Sequence, residues 1–123
     1  MTIVARSLTV PLALKAAEQL QEQGVSCEVI DPRTIRPLDI DTIIASVKKT
    51  NRVVIAEESH PICGVGAEIS AEIMERAFDY LDAPVKRVSG VDVPMPYAKN
   101  LENLAIPDVA RVVAAVREVS YLD

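Results

Sequence analysis

Val53-Val54-Ile55-Ala56-Glu57-Glu58-Ser59-His60-Pro61-Ile62-Cys63-Gly64-Val65-Gly66 changes character twice along its length. Val53 to Ala56 is a continuous apolar run without polar alternation, as expected for a strand covered on both faces. Glu57 to Gly64 is polar and carries Pro61, so it interrupts that strand. From Gly66 to Leu81 the apolar residues Ile69, Ile73, Ala77 and Leu81 keep a four-residue step, which predicts one long amphipathic helix over 66–81. Ala83 and Pro84 end it. A doubly covered strand that feeds a helix is the repeating unit of a parallel α/β sheet.

The same rhythm extends in both directions. Thr2 to Ala5 reads as a short strand, and Thr9 stands where a residue can cap a helix with Pro11 in its first turn. Leu12, Ala16 and Leu20 recur at helical spacing until Gly24 stops it, and Cys27 to Ile30 reads as a second strand. Asp31 and Pro32 break that strand, and an arginine-bearing connection runs to Pro37. Asp39 can cap a second helix, with Ile40, Ile43, Ile44 and Val47 inward and Lys48 and Lys49 near its negative end. Val85 to Val88 is a fourth strand, and 90–106 is irregular with room for a further short strand. Pro107 opens a last helix with Val109, Val112, Val113 and Val116 inward. The order β-α-β-α-β-α-β-α predicts an open, mostly parallel sheet with helices on both faces.

At 123 residues the chain is the size of one domain, and half its residues are apolar, enough for a sizeable core. The net charge is −5, and residues 57–82 hold seven acids against Arg76 alone. That balance argues against binding nucleic acid or an anionic membrane, because no basic surface would displace counterions. A basic protein partner fits it. The apolar runs are too short to span a bilayer, and the N-terminus has no signal-peptide pattern. Cys27 and Cys63 form neither a disulfide framework nor a zinc spacing.

In an open α/β sheet ligands bind beyond the carboxyl ends of the strands, which directs attention to the loop after Ala56. Glu57, Glu58, Ser59, His60 and Cys63 offer an acid/base pair or a Cys–His nucleophile, with a solvated surface turn as the plain alternative. Gly64 and Gly66 begin a dinucleotide fingerprint, but isoleucine stands at the third glycine position, 69. Arg33 and Arg36 can grip a phosphate or carboxylate, while an ion pair or a subunit contact is the plainer role. On the predicted helix, Glu68, Glu72, Glu75, Asp79 and Asp82 follow at steps of four, three, four and three, placing five acids on one stripe. Such a stripe is either a solvated face or a guide for a basic partner.

Four strings then carry a resemblance across the whole chain: Val29-Ile30-Asp31-Pro32-Arg33-Thr34-Ile35-Arg36-Pro37-Leu38-Asp39, Gly64-Val65-Gly66-Ala67-Glu68-Ile69, Tyr80-Leu81-Asp82-Ala83-Pro84 and Gly90-Val91-Asp92-Val93-Pro94-Met95-Pro96-Tyr97-Ala98. In this order they resemble the C-terminal domain of pyruvate dehydrogenase E1 β subunits, within the transketolase C-terminal domain family. The stretch Asp92 to Ala98 points to that group over branched-chain relatives. The resemblance implies a three-layer α/β/α fold over residues 1–123, with a mostly parallel five-stranded sheet and one antiparallel edge strand.

It implies that thiamine diphosphate and magnesium are held elsewhere in the full enzyme, between an α subunit and an N-terminal pyrimidine-binding domain that this chain does not resemble. No catalytic, cofactor-binding or metal residue is then expected within the chain, and the isolated domain should be catalytically silent. The implied role is assembly with the E1 α subunit and a second β subunit, and docking of the peripheral subunit-binding domain of the E2 acyltransferase. In relatives the aspartate of the Leu-Asp-Ala-Pro string and the chain's C-terminus contact that module, which points here to Asp82 and Asp123, with Glu75 and Asp79 as neighbouring candidates. Arg33 and Arg36 become candidates for a subunit interface. Ser59-His60 depart from the family's glycine and aromatic, as does the ending Tyr121-Leu122-Asp123. The implied compartment is a bacterial cytoplasm or a mitochondrial matrix. Two alternatives stay open: the same domain of a branched-chain 2-oxo acid or acetoin dehydrogenase, and a stand-alone α/β binding module.

Overall fold

A computed structural model describes residues 1–122, so Asp123 and its expected docking contact lie outside the described residues. The elements are β1 (Thr2–Ala5), α1 (Thr9–Glu22), β2 (Glu28–Ile30), α2 (Ile40–Thr50), β3 (Val53–Ala56), α3 (Val65–Ala77) with a 3-10 turn at Phe78–Tyr80, β4 (Lys86–Val88), α4 (Lys99–Ala105) and α5 (Val109–Ser120). The strands form one parallel sheet in the order β2-β1-β3-β4. Along β1 and β3 the side chains alternate between two cores. Ile3, Ala5, Val54 and Ala56 pack on α1 and α5 through Ala13, Ala16, Leu20, Val112 and Val116. Val4, Val53 and Ile55 pack on α2 and α3 through Ile43, Val47, Ile69 and Ile73. Every residue of both central strands is buried, which explains why they read as unbroken apolar runs. Each large aliphatic side chain so buried contributes about 1.5–3 kcal/mol.

The three-layer α/β class is thus as expected, and several details differ. Four parallel strands are described, and the expected antiparallel fifth is not among them. Residues 91–98 contain Pro94 and Pro96, which have no N–H to give a ladder, and the Gly90 and Val91 amides bond instead to the Ser59 and Ala105 carbonyls. The helix α4 falls in the stretch expected to be irregular, because Leu101 and Leu104 remain exposed and Ala105 is its one buried residue. Thr9 is not the cap of α1, whose N-cap is Leu8. Its buried hydroxyl instead accepts from the Arg6 N–H, and the carbonyls of Ala56 and Arg6 lie 2.8 Å away as acceptors. Asp39 does cap α2, and both its oxygens bond to Thr42.

The expected helix over 66–81 stops at Ala77. The chain tightens into the 3-10 turn because the segment leading to β4 is tied to the end of α2: Asn51 Nδ2 donates to the Tyr80 carbonyl and the Asp82 N–H donates to the Asn51 carbonyl. Periodicity cannot register a bond between residues so far apart in sequence. Asn51 itself ends α2 in the left-handed region, at φ 64°.

Candidate functional site

From β1 the chain turns through α1 to β2 on one side, and from β3 it turns through α3 to β4 on the other. The carboxyl ends of β1 and β3 therefore flank the point where the winding reverses, the usual ligand crevice of an open α/β sheet. Arg6 and Glu57 are the first residues past those two ends. Glu57 is only 1% exposed. One carboxylate oxygen, Oε2, accepts from Gly66 N at 3.0 Å, from Ser59 Oγ at 2.8 Å and from Arg6 Nη2 at 3.3 Å. Arg6 Nη2 also donates to Ser59 Oγ at 3.1 Å.

The carboxylate thus takes the place that an anion would take at the start of α3, where free amides and the helix dipole favour negative charge. Gly64 and Gly66 make room for it. A Cβ at Gly66 would stand 2.5 Å from Glu57 Oε1, and one at Gly64 2.6 Å from the same atom. Oε1 is buried without a hydrogen-bond partner. A cavity of about 10 Å³, lined in part by Glu57, Arg6, Pro32 and Ile55, lies against the carboxylate and is roughly the space of one water. The crevice is filled from within by the chain's own acid.

The other residues of this loop do not assemble into a catalytic group. His60 Nε2 lies 2.8 Å from the Val93 carbonyl oxygen and ties the two loops of this edge together. Cys63 is exposed, and its φ of 58° turns the chain into the Gly64 cap. Among the described residues no hydrogen bond joins it to His60. Glu58 keeps one buried oxygen without a partner. Ile69, at the failed glycine position, is a core residue of α3. Arg33 pairs with Asp31 of its own segment at 3.4 Å, while Arg36 lines a separate groove with Pro37, Glu68 and Glu72. No group of three His, Cys, Asp or Glu side chains arranged for a metal occurs among the described residues.

At the opposite end of the strands, before β4, an open groove of about 500 Å³ is lined by Ser70, Met74, Phe78, Leu81, Asp82 to Val85 and Tyr121. Met74, Phe78 and Tyr121 are exposed apolar surface. The Asp82 carboxylate has no hydrogen bond or ion pair among the described residues, although its backbone is held. The stripe of five acids is divided. Only Glu68, Glu72 and Glu75 lie on α3, Asp79 sits in the 3-10 turn, and Asp82 lies past it. Arg76 offsets the stripe on its α2 side, bonding to Asp41 and lying 3.9 Å from Glu72. Glu75 and Asp79 are exposed and do not line the Asp82 groove.

The walls of this groove escaped sequence reading. Their signal is a second row at four-residue spacing, Ser70, Met74 and Phe78, beside the core row Ile69, Ile73 and Ala77. The Arg6–Glu57 pair spans 51 positions and has no local signal.

The family model described as "Transketolase, C-terminal domain" matches residues 1–112. The chain is 60% identical over 121 residues to the pyruvate dehydrogenase E1 component subunit beta of Rickettsia bellii, covering 98% of this chain and 37% of that protein. It is 57% identical over 120 residues to the mitochondrial pyruvate dehydrogenase E1 component subunit beta-1 of Arabidopsis thaliana, covering 98% of this chain and 33% of the relative. It therefore spans about a third of the length of these curated relatives. A solved structure titled "Split gene transketolase, inactive beta4 tetramer" superposes with a TM-score of 0.81 at 27% identity, over 98% of this chain and 39% of that one. By the family match and by fold, the chain belongs to the transketolase C-terminal domain family.

Proposed function

We propose that this chain serves as the assembly and E2-docking domain of a pyruvate dehydrogenase E1 β subunit. In the complete enzyme it supports oxidative decarboxylation of pyruvate and acetyl transfer to the lipoyl groups of E2. The observation that carries the reading is the Asp82 groove, an unpaired carboxylate beside exposed apolar side chains. That combination suits a basic module, with the charge steering approach and Met74 and Phe78 supplying area to bury. Relatives bearing the E1 β name, bacterial and mitochondrial, support the choice of enzyme and a bacterial cytoplasm or mitochondrial matrix as its compartment.

The described residues do not fit thiamine diphosphate or its magnesium. The glycine turn suited to a phosphate is filled by the Glu57 carboxylate, and no acidic cluster is arranged for a cation. On this reading the cofactor sits outside residues 1–122, and the 123-residue chain alone is silent toward pyruvate. At the edge that Glu57 fills, Ile62, Val91, Met95, Tyr97 and Leu104 are exposed. Such apolar surface supports an assembly role, in which the remainder of the β subunit and the α subunit cover it.

Titration calorimetry of the chain against the E2 peripheral subunit-binding domain tests the proposal. Binding that weakens as salt rises is expected. Absence of binding at low ionic strength would refute it.

A further inference from the structure

The Asp82 segment is gripped by two residues that end helices in opposite layers. Asn51 terminates α2 with φ 64°, and Tyr121 terminates α5 with φ 55°. The Asp82 N–H donates to the Asn51 carbonyl at 2.8 Å, and Tyr121 Oη donates to the Asp82 carbonyl at 3.2 Å. The Tyr121 ring is itself held beneath the Arg52 guanidinium, 5.6 Å from the ring centroid, and lines the groove together with Met74 and Phe78. Both hydrogen-bonding groups of the Asp82 main chain are therefore spoken for, while its carboxylate is left free.

We infer that Tyr121 is the positioning residue for docking: its hydroxyl fixes the Asp82 backbone, so a basic partner meets a carboxylate already aimed across the groove. The inference rests on the docking function proposed above. Its physical basis is preorganisation, since a backbone ordered before binding need not be ordered by it. For one residue that is worth about tenfold in affinity. The role was invisible in sequence, where Tyr121 stood only as part of an unusual chain ending.

The test is a double-mutant cycle on the complete chain, titrated with the E2 peripheral subunit-binding domain. Tyr121→Phe keeps the groove wall and the stacking on Arg52 but removes the hydroxyl, and should weaken binding by about five- to tenfold. Because the hydroxyl acts through Asp82, adding Tyr121→Phe to Asp82→Asn should cost less than about twofold more. Fully additive losses, or undiminished binding by Tyr121→Phe, would overturn the inference and leave docking intact. Failure of the unmodified chain to bind would overturn the docking reading, and this inference with it. Hydrogen exchange on the free chain supplies a readout independent of the partner. Tyr121→Phe should speed exchange at the Asp82 amide by about tenfold while the Ile55 amide of β3 is unchanged. An unchanged Asp82 rate would overturn the clamp even if affinity fell.

Discussion

The two ends of the parallel strands hold their carboxylates in opposite states. At the carboxyl end of β1 and β3, where open α/β sheets usually bind ligands, Glu57 fills the anion site and Arg6, Ser59 and Gly66 satisfy one of its oxygens. At the amino end of β4, an ordinary place for a connection, Asp82 has a fixed backbone and an unpaired carboxylate over an apolar groove. One carboxylate is buried and serves the fold. The other is exposed and available to a partner. Residue type alone does not separate them. What separates them is whether the chain supplies its own donors.

The contrast can be broken most forcefully at the filled edge. Gly66→Ala should destabilise the domain by about 2–3 kcal/mol, because the new Cβ would also stand 2.9 Å from the Glu57 carboxyl carbon and 3.2 Å from Ile55 Cγ2. Thermal unfolding would register this as a fall of roughly 10 °C. In a Glu57→Ala background the same substitution should cost much less, since the Cβ then enters space the carboxylate has left. Equal costs in both backgrounds would mean that the cradle is not built around Glu57.

At the open edge, Asp82→Arg should leave unfolding within about 0.5 kcal/mol of the parent, as for exposed residues. It should lower affinity for the E2 module by more than tenfold, on the order of 2 kcal/mol. A large loss of stability would show that Asp82 serves the fold as Glu57 does. Phe78→Ala should cost about 1 kcal/mol of binding by calorimetry and little stability, because the residue is 62% exposed.

Acid should act gently on the fold. The Lys49 ammonium, followed by the Ser46 hydroxyl, lowers the Glu28 pKa, and the Thr42 hydroxyl and N–H lower that of Asp39. Carboxyls lowered in the folded state stabilise it above their unfolded pKa values, and that contribution is lost as pH falls through the folded ones. Melting temperature should therefore decline slightly below about pH 4, and Glu28→Gln with Asp39→Asn should flatten the decline. An unaltered slope in the double variant would assign the acid sensitivity to other groups.

Much of the fold was legible because both central strands are buried on two faces and the major helices carry inward stripes. Ile43, Ile44 and Val47 of α2 and Val112 and Val116 of α5 occupy the cores that their spacing implied. Long-range bonds were not legible. Asn51 ends the reach of α3 from another helix, and Thr9 spends its hydroxyl on β3 rather than on a cap. The sites followed the same rule. Asp82 was visible through a resemblance, whereas Arg6 opposite Glu57, and Met74, Phe78 and Tyr121 around Asp82, become neighbours only after the chain closes.

The two rings beside Asp82 have an optical consequence. The chain contains three tyrosines and no tryptophan, so its intrinsic emission is tyrosine emission alone. Tyr80 lies under Lys48 at 4.9 Å and Tyr121 under Arg52, while Tyr97 is fully exposed at the other edge. Two of the three native fluorophores therefore border the proposed docking segment, each beneath a cation that an incoming basic surface would disturb. A partner lacking tyrosine and tryptophan could be followed onto that edge by the protein's own light, with no label attached.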